Sequence, residues 1–196
     1  MTGDAMLILY IHGFLSSPQS LKAQQTQAYC ASQNPLLHFS CPALPAYPAE
    51  AMAILEHVIR GAEENQIGLI GSSMGGYYAT ALSQRYQLPA VLVNPAVRPY
   101  DLMDHYLDQD LKNYHTEEAS RLQQHHVAEM RALEVNRLQY PALLWLMVQT
   151  GDETLDYRHA VERYQSCKQT IEEGGDHSFQ HFDVWLPEII TFLQSH

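Results

Sequence analysis

The stretch Gly71-Ser-Ser-Met-Gly75 limits what this chain can fold into more than any other feature of the sequence. An apolar run precedes it, and a helical pattern that starts at Met74 follows it. This context predicts a sharp strand-to-helix turn with Ser73 at its centre, in a strained backbone conformation. Such a turn leaves no room for side chains two residues before and after the serine, and Gly71 and Gly75 supply that room. The pattern therefore predicts a raised Ser73 hydroxyl beside helix amides that favour a developing negative charge.

Short apolar runs alternate with longer amphipathic stretches along the rest of the chain. This alternation is typical of a parallel sheet covered by helices on both faces, because both faces of each strand are then buried. The sequence therefore predicts an α/β fold with a mostly parallel sheet of about six strands. The predicted strands are Met6 to Ile11, Leu36 to Ser40, Gln66 to Ile70, Ala90 to Val93, Ala142 to Val148 and Lys168 to Ile171. The predicted helices are Ser20 to Ser32, Pro48 to Glu64, Met74 to Tyr86, Tyr157 to Gln165 and Asp183 to Gln194.

The segment from 99 to 139 interrupts this alternation. It is polar, rich in histidine and tyrosine, and shows helical spacing without a strand pattern. One predicted helical face carries the larger apolar side chains, namely Leu102, Met103, Tyr106, Leu107 and Leu111. We expect a helical cap inserted in a single domain that spans residues 1 to 196, since this length suits one hydrophobic core.

A second glycine-containing loop, Tyr10-Ile-His-Gly-Phe-Leu15, follows directly after the first predicted strand. An oxyanion hole needs two amide donors that converge on one point. In a strand-turn-helix arrangement of this kind, one donor belongs to the residue after the nucleophile and the other to the loop after an early strand. The sequence therefore predicts the backbone amides of Met74 and Phe14 as the two donors.

The stretch Gly174-Gly-Asp-His-Ser-Phe179 places His177 in a loop between the last predicted strand and the last predicted helix. A neutral imidazole at the carboxyl edge of the sheet can accept the Ser73 proton. The position near the C-terminus also fits the chain order serine, acid, histidine. We therefore predict His177 as the general base. A metal site with His181, four residues on, is not expected, because Ser178 stands where the zincin pattern needs Glu.

The acid of the site is expected after the strand Ala142 to Val148, where Asp152, Glu153 and Asp156 all qualify. Asp152 directly follows a glycine, so its side chain can fold back over the sheet edge towards the histidine. Asp156 precedes a predicted helix and is well suited to cap it. We predict Asp152 as the acid, Asp156 as a helix cap, and Glu153 as a residue that faces water.

Composition excludes several classes of function. Eleven Lys and Arg against 22 Asp and Glu give a net charge of −11, which repels nucleic acid and anionic membrane surfaces. Three cysteines without a C-x-x-C spacing indicate neither a disulfide framework nor a zinc cluster. The N-terminal residues lack the pattern of a secretory signal, and no apolar run is long enough to span a membrane. We expect a cytoplasmic protein that binds no nucleic acid, inserts in no membrane and needs no cofactor or metal.

Several of these motifs together resemble the YqiA-type bacterial esterases. The resemblance spans nearly the whole chain and is carried by HGF-LSSP from His12, GSSMGGYYAT from Gly71, NPAVRPY from Asn94, TGDETLDY from Thr150 and GGDHSF from Gly174. It implies a small α/β hydrolase that acts on acyl esters and acyl thioesters, with the triad Ser73, Asp152 and His177. His181 and His196 are a departure from that family's pattern.

The substrate expected from these motifs is a small acyl ester or thioester, and the oligomeric state is left open. We expect His12, Arg98 and Tyr106 to contact it, with Arg98 either paired to an anionic substrate group or held in a salt bridge that anchors the cap. Two other functions are compatible with the same fold. One is a lyase of the menaquinone-pathway type, which would need a cluster of arginines. The other is a catalytically silent binding protein.

Overall fold

Six parallel strands form the central sheet of the computed structural model, which describes residues 5–33, 36–64, 66–112 and 119–196. The strands of the described chain are β1 (Met6–Ile11), β2 (Leu37–Ser40), β3 (Gln66–Ser72), β4 (Ala90–Val93), β5 (Asp110–Lys112), β6 (Ala119–Arg121), β7 (Leu144–Gln149) and β8 (Lys168–Glu172). The order across the sheet is β2-β1-β3-β4-β7-β8, and β5 and β6 form a separate pair. The predicted six-stranded parallel sheet is confirmed, with small shifts at strand ends.

Helices connect the strands of the sheet and cover both of its faces. They are α1 (Leu21–Gln33), α2 (Pro48–Gly61), α3 (Met74–Tyr86), α4 (Pro99–Met103), α5 (Gln124–Ala132), α6 (Tyr157–Arg163) and α7 (Phe182–Gln194). In α2, Pro48 occupies the first turn and Arg60 the last, which suits the fixed φ of proline and the helix dipole. Within the described ranges, no helix is long and apolar enough to cross a bilayer.

The strands β1, β4 and β7 are buried along their whole length, because helices pack on both faces of the sheet. Alternate residues of β1 therefore enter different cores. Leu9 and Ile11 pack in the core that includes α2 and α3. Ile8 and Tyr10 pack in the core that includes α7. Sequence runs that are apolar without alternation are thus explained by burial on two sides.

Trp145 in β7 is the largest side chain of the core on the α7 face and is fully buried. Its indole Nε1 donates to Thr170 Oγ1 at 3.0 Å. Its ring lies edge-on to Trp185, with centroids 6.2 Å apart, and the Lys168 ammonium lies 3.4 Å from the ring centroid. A buried indole with its N–H bonded adds apolar area to the core without an unpaired donor.

The segment 99–139 differs from the helical cap that its spacing predicts. Helix α4 ends at Met103, a 3₁₀ turn over residues 104–106 follows, and Leu107 then takes an extended ψ of 139° that ends the helical path. Strands β5 and β6 then pair antiparallel, so the absence of strands predicted for this segment is wrong. The single apolar face is wrong as well, because Leu111 is buried while Leu102 is 42% exposed. Residues 113–118 of this segment lie outside the described residues.

Helix α3 crosses β1 at very short range, and Gly75 makes this approach possible. A Cβ atom at position 75 would lie 2.0 Å from the carbonyl oxygen of Ile11, and one at Gly71 would lie 2.4 Å from the carbonyl oxygen of Gly75. Both contacts are with backbone, which cannot move aside as a flexible side chain can. The space left by the missing side chains of Gly71 and Gly75 is therefore required for α3 to pack on the sheet.

Replacement of Gly75 by Ala is expected to destabilise the fold by about 3 kcal/mol, because α3 must shift away from β1. Gly61, the last residue of α2, is the matched control, since a Cβ there would meet nothing within 4 Å. Gly61→Ala should leave the midpoint of urea unfolding unchanged or slightly raised. Equal unfolding midpoints for the two variants would contradict the packing argument.

Candidate functional site

Ser73 lies at the turn between β3 and α3, where the sequence predicts it. Its backbone has φ 55° and ψ −121°, a conformation that costs a non-glycine residue on the order of 1–3 kcal/mol. Three hydrogen bonds hold it there. The Ser73 amide donates to the Val93 carbonyl at 3.0 Å, and the Ser73 carbonyl accepts from Gly76 at 2.9 Å and Ala96 at 3.0 Å. The strained turn is thus fixed by β4 and the loop after it.

The side chains of Ser73, His177 and Asp152 form one hydrogen-bonded chain. His177 Nε2 lies 3.1 Å from Ser73 Oγ, and His177 Nδ1 lies 2.8 Å from Asp152 Oδ2. The Asp152 side chain is 2% exposed and that of His177 is 24% exposed. In the tautomer with its proton on Nδ1, the ring donates to Asp152 and accepts from the Ser73 hydroxyl. This arrangement is able to remove the Ser73 proton.

The Asp152 carboxylate is fixed by its own loop as well as by the histidine. Its Oδ1 accepts from the amides of Thr154 at 2.9 Å and Leu155 at 2.8 Å. Burial raises the pKa of the Asp152 carboxyl, but the hydrogen bonds from His177, Leu155 and Thr154 outweigh burial and hold the pKa below its ordinary value. The carboxyl is therefore ionised at neutral pH.

The three acidic residues that are candidates from the sequence have different positions in the structure. Asp152 contacts the His177 ring. Glu153 is exposed, and its Oε2 accepts the backbone amide of His177 at 3.0 Å. Asp156 is the N-cap of α6, and its Oδ1 accepts the Arg158 amide at 3.0 Å. Each acid thus has a different place, on the ring, on the loop backbone and at the helix start.

Asn94 is a buried positioning residue that was not among the site residues predicted from the sequence. It is 2% exposed, and its Nδ2 donates to the carbonyls of Asp176 at 3.0 Å and His177 at 3.1 Å. Its Oδ1 accepts the amide of Gln149 at 3.0 Å. The φ of 41° suits Asn, which tolerates the left-handed region better than most residues. Asn94 therefore ties the end of β7 and the His177 loop to the end of β4.

Gln149 is a second buried amide that holds the same loop. Its Oε1 accepts from Asp176 at 3.2 Å and Gln180 at 2.8 Å, and its Nε2 donates to Glu172 Oε2 at 2.8 Å. The sequence signal for both amides is a polar residue at or directly after the end of a wholly apolar strand. A buried polar side chain there must find partners, which in this fold are the backbone groups of the loop.

The two residues predicted as oxyanion donors lie beside Ser73. Met74 is the first residue of α3, so its amide has no acceptor within the helix. Phe14 follows Gly13, at which a Cβ would lie 3.3 Å from Ser73 Cβ. Both Phe14 and Met74 line the cavity at Ser73. Both residues therefore border the cavity close to Ser73, where an oxyanion would form.

Ser73 and His177 line an open cavity with a volume of about 830 Å³. Apolar side chains of the loop after β1 and of the segment 99–139 form one part of its wall, namely Phe14, Leu15, Pro99, Leu102, Met103 and Tyr106. A second cleft of about 690 Å³ adjoins it and shares Ala96, Leu102, Thr154 and Leu155. A cavity of the first size is typical of small-molecule sites.

Of the three residues expected to contact substrate, the structure places one on the cavity. Tyr106 lines it, with its ring 6.0 Å from that of Phe14. His12 does not, because it is 3% exposed and its ring bonds the Leu44 amide and the Gly13 carbonyl. Arg98 does not either, since it pairs with Asp101 at 2.8 Å and lines the second cleft. The expectation of substrate contact is therefore corrected for His12, which holds two loops together. For Arg98, the ion pair with Asp101 of α4 agrees with the other alternative, a salt bridge in the cap, and not with a substrate contact.

The two histidines that are four residues apart lie in different local structures. His177 is in the loop, whereas His181 is the N-cap of α7 with φ 59°. Among the described residues, no group of three or more His, Cys, Asp and Glu side chains has an arrangement that could hold a metal ion.

Comparison with known proteins identifies the fold. A family model described as "Uncharacterised protein family (UPF0227)" matches residues 7–194. Mouse alpha/beta hydrolase domain-containing protein 10 superposes with a TM-score of 0.71 at 16% identity, over 97% of this chain and 89% of that one. Est1E from Butyrivibrio proteoclasticus with bound ferulic acid superposes with a TM-score of 0.71 at 12% identity, over 98% of this chain and 89% of that one. The esterase domain of a Rhodothermus marinus protein superposes with a TM-score of 0.70 at 14% identity, over 97% of this chain and 87% of that one. The chain therefore has the α/β-hydrolase fold.

Replacement of Asn94 by Asp is expected to destabilise the protein by about 2 kcal/mol, because a carboxylate cannot donate to the carbonyls of Asp176 and His177. The change keeps the shape of the side chain and its acceptor for Gln149. Urea unfolding measures the stability, and hydrogen exchange of residues 174–181 measures the loop. Unchanged stability with unchanged exchange would show that Asn94 does not hold this loop.

Proposed function

Since the chain belongs to the Uncharacterised protein family UPF0227 and carries a hydrogen-bonded serine, histidine and aspartate in an open cavity, we propose that it is a serine hydrolase of acyl esters and thioesters. One observation carries the proposal. A single imidazole lies 3.1 Å from a serine hydroxyl on one side and 2.8 Å from a buried carboxylate on the other. The motifs shared with YqiA-type esterases support the same activity and the assignment to that group.

In the first half of the proposed reaction, Ser73 Oγ attacks the carbonyl carbon of the substrate. His177 Nε2 accepts the hydroxyl proton as the new C–O bond forms. Asp152 keeps the ring in the tautomer that leaves Nε2 unprotonated beforehand and stabilises the imidazolium afterwards. The carbonyl oxygen becomes an oxyanion, which the Met74 and Phe14 amides stabilise. His177 then gives the proton to the departing alcohol or thiol, and an acyl-enzyme remains.

In the second half, water takes the place of the leaving group. His177 Nε2 removes a proton from this water, which attacks the acyl carbon. The oxyanion forms again at the same amides, and collapse of the intermediate returns the proton to Ser73 Oγ. The products are a carboxylic acid and a free enzyme. Apart from substrate and water, each group named in this cycle is a side chain or backbone amide of the chain.

The wall of the cavity supports an acyl substrate with an apolar portion. Leu102 and Tyr106 are each 42% exposed and line the cavity, so an acyl chain could cover them. Burial of apolar area contributes about 25 cal/mol per Å². We assign the choice of acyl group to the segment 99–139, since it contributes much of this apolar wall.

The two other functions compatible with the fold receive less support. A lyase of the menaquinone-pathway type needs an arginine cluster, and none of the described residues that line the cavity is an arginine. A silent binding protein has usually lost a member of the triad, whereas Ser73, His177 and Asp152 are present and hydrogen-bonded here. The hydrolase is therefore the function that the site supports best.

A fluorophosphonate probe should label this protein at one residue, because only an activated serine reacts with it. Intact mass should show one adduct for the native protein and for Ser72→Ala, and no adduct for Ser73→Ala. Hydrolysis of a 4-nitrophenyl acyl ester should fall by about 10⁶-fold in Ser73→Ala. Labelling of Ser73→Ala, together with loss of labelling in Ser72→Ala, would show that the wrong serine has been assigned.

Asp152→Asn and Asp156→Ala should have opposite phenotypes. Asp152→Asn should keep the fold and lose on the order of 10⁴-fold in turnover, since an amide favours the wrong imidazole tautomer. Asp156→Ala should lose a helix cap, at about 1 kcal/mol of stability, and keep its turnover. Melting curves and ester hydrolysis on both variants measure the difference. A stable, inactive Asp156→Ala beside an active Asp152→Asn would reverse the roles.

A further inference from the structure

Lys22 lies in the first turn of α1, where neither the helix nor its surroundings favour it. Helix α1 begins at Leu21 and has no acidic residue in its first turn. The N-terminus of a helix is the positive end of its dipole, so an ammonium there is disfavoured. The side chain is also half-buried, and burial lowers its pKa to about 8. A lysine with two such disadvantages is expected to make an interaction elsewhere in the fold that offsets them.

That interaction is with the loop that carries His177. The Lys22 ammonium donates to the carbonyl of Ser178 at 2.6 Å, across 156 positions of the chain. Ser178 directly follows His177, and all three residues line the cavity at Ser73. The contact therefore joins α1 to the backbone beside the proposed general base.

The loop after His177 needs support because part of its backbone is strained. Phe179 and His181, neither of which is glycine, have positive φ values of 62° and 59°. Left-handed conformations are unfavourable for such residues unless the surrounding structure holds them. The Ser178 carbonyl belongs to the peptide that leads into Phe179. A hydrogen bond to this carbonyl therefore fixes the strained backbone directly after the base.

Lys22 complements the two buried amides that hold the same loop. Asn94 and Gln149 lie at strand ends of the sheet and bond backbone groups of the loop on either side of Ser178. Lys22 comes from α1 and bonds the Ser178 peptide between them. Ser178 is exposed, so without the ammonium its carbonyl would bond to water, and its direction would no longer be fixed by the protein.

We propose that Lys22 is a positioning residue of the hydrolase, whose ammonium fixes the Ser178 carbonyl and so holds the backbone that presents the His177 ring to Ser73. This inference rests on the proposed hydrolase function and adds a residue to it. The ammonium acts through the loop backbone, and no step of the reaction passes through it. The charged form holds the loop best, since a charge-assisted hydrogen bond is roughly twice as strong as a neutral one.

The ionisation of Lys22 gives a pH range in which this role can be tested. The carboxylates of Asp176 and Asp152 limit the fall that burial causes in its pKa, so the side chain is charged at pH 7 and loses its proton above about pH 8. Carboxyl and imidazole groups have ordinary pKa values below 8, and a phenol has one near 10. Burial raises that of Tyr10 further. These classes include the other titratable side chains among the described residues that line the cavity, namely Tyr10, Tyr106, Glu153, Asp176, His177 and His181.

Lys22→Met removes the donor and keeps a linear side chain at this position. At pH 7, kcat for a neutral 4-nitrophenyl acyl ester should fall about tenfold with KM within twofold, because the ring is held less well while the cavity is unchanged. The melting temperature should stay equal or rise, since the variant removes an ammonium that burial and the helix dipole disfavour. Lys168→Met is the matched control, because it removes the same charge from a distant site over the Trp145 ring and should keep kcat.

The pH profile of kcat separates positioning from a contribution to folding. In the native protein and in Lys168→Met, kcat should fall above about pH 8 towards the level of Lys22→Met, as the ammonium loses its proton and its bond to Ser178 weakens. In Lys22→Met, kcat should stay level from pH 7 to 9.5. The rate at which a fluorophosphonate labels Ser73 should show the same differences, because it depends on the same imidazole.

Several results would overturn the proposal while the hydrolase function stands. One is a native kcat in Lys22→Met, and another is a change confined to KM, which would indicate substrate contact instead. A lower melting temperature or a failure to fold would show that Lys22 serves the fold. A fall above pH 8 that Lys22→Met shares with the native protein would assign that fall to another group. If the native protein hydrolyses no ester and Ser73 is not labelled, the hydrolase function itself is refuted, and this role with it.

Discussion

The backbone at the end of β4 is the constraint on which the rest of the site depends. Val93 accepts the amide of Ser73, and Ala96 donates to the Ser73 carbonyl, so the strained turn is held from this side. Asn94, between them, bonds the carbonyl of His177. The serine and the histidine are 104 residues apart in the chain, yet both are hydrogen-bonded to the same four-residue segment, 93–96. Their 3.1 Å contact is therefore a property of the sheet rather than of two independent loops.

The site shares the negative charge of the whole protein, with one local exception. The net charge is −11, the carboxylates of Asp152 and Glu153 bond His177, and Asp176, the residue before it, lines the same cavity. An anionic substrate would be repelled by such a surface at long range. Lys22 is a local exception, half-buried at the cavity wall and bonded to the loop that carries His177. Screening by salt is weaker for half-buried groups than for exposed ones, so this local charge retains much of its effect.

The sequence predicts the sheet, Ser73, His177 and Asp152 because each follows from a local rule. Buried strands are apolar without alternation, a tight turn requires glycines, and a strand end projects its next residue over the sheet edge. The roles of Asn94 and Gln149 cannot be predicted from the sequence, because they depend on which strands are neighbours in the sheet. His12 was misplaced for the same reason, because its partner Leu44 lies 32 positions away. Strands β5 and β6 cannot be predicted from the sequence, because three residues are too few to show the alternation of apolar and polar side chains that marks a strand.

Both tryptophans of the chain, Trp145 and Trp185, lie in the contact between the sheet and α7. Intrinsic fluorescence therefore reports on one side of the molecule. The segment 99–139 contains no tryptophan and is optically silent in that emission band. Trp145 is sealed from water, so its emission should be blue-shifted in the native protein and should move to longer wavelength when this face is hydrated. A rearrangement of the segment over the cavity would pass unseen in such a trace, and its observation requires a chromophore placed there.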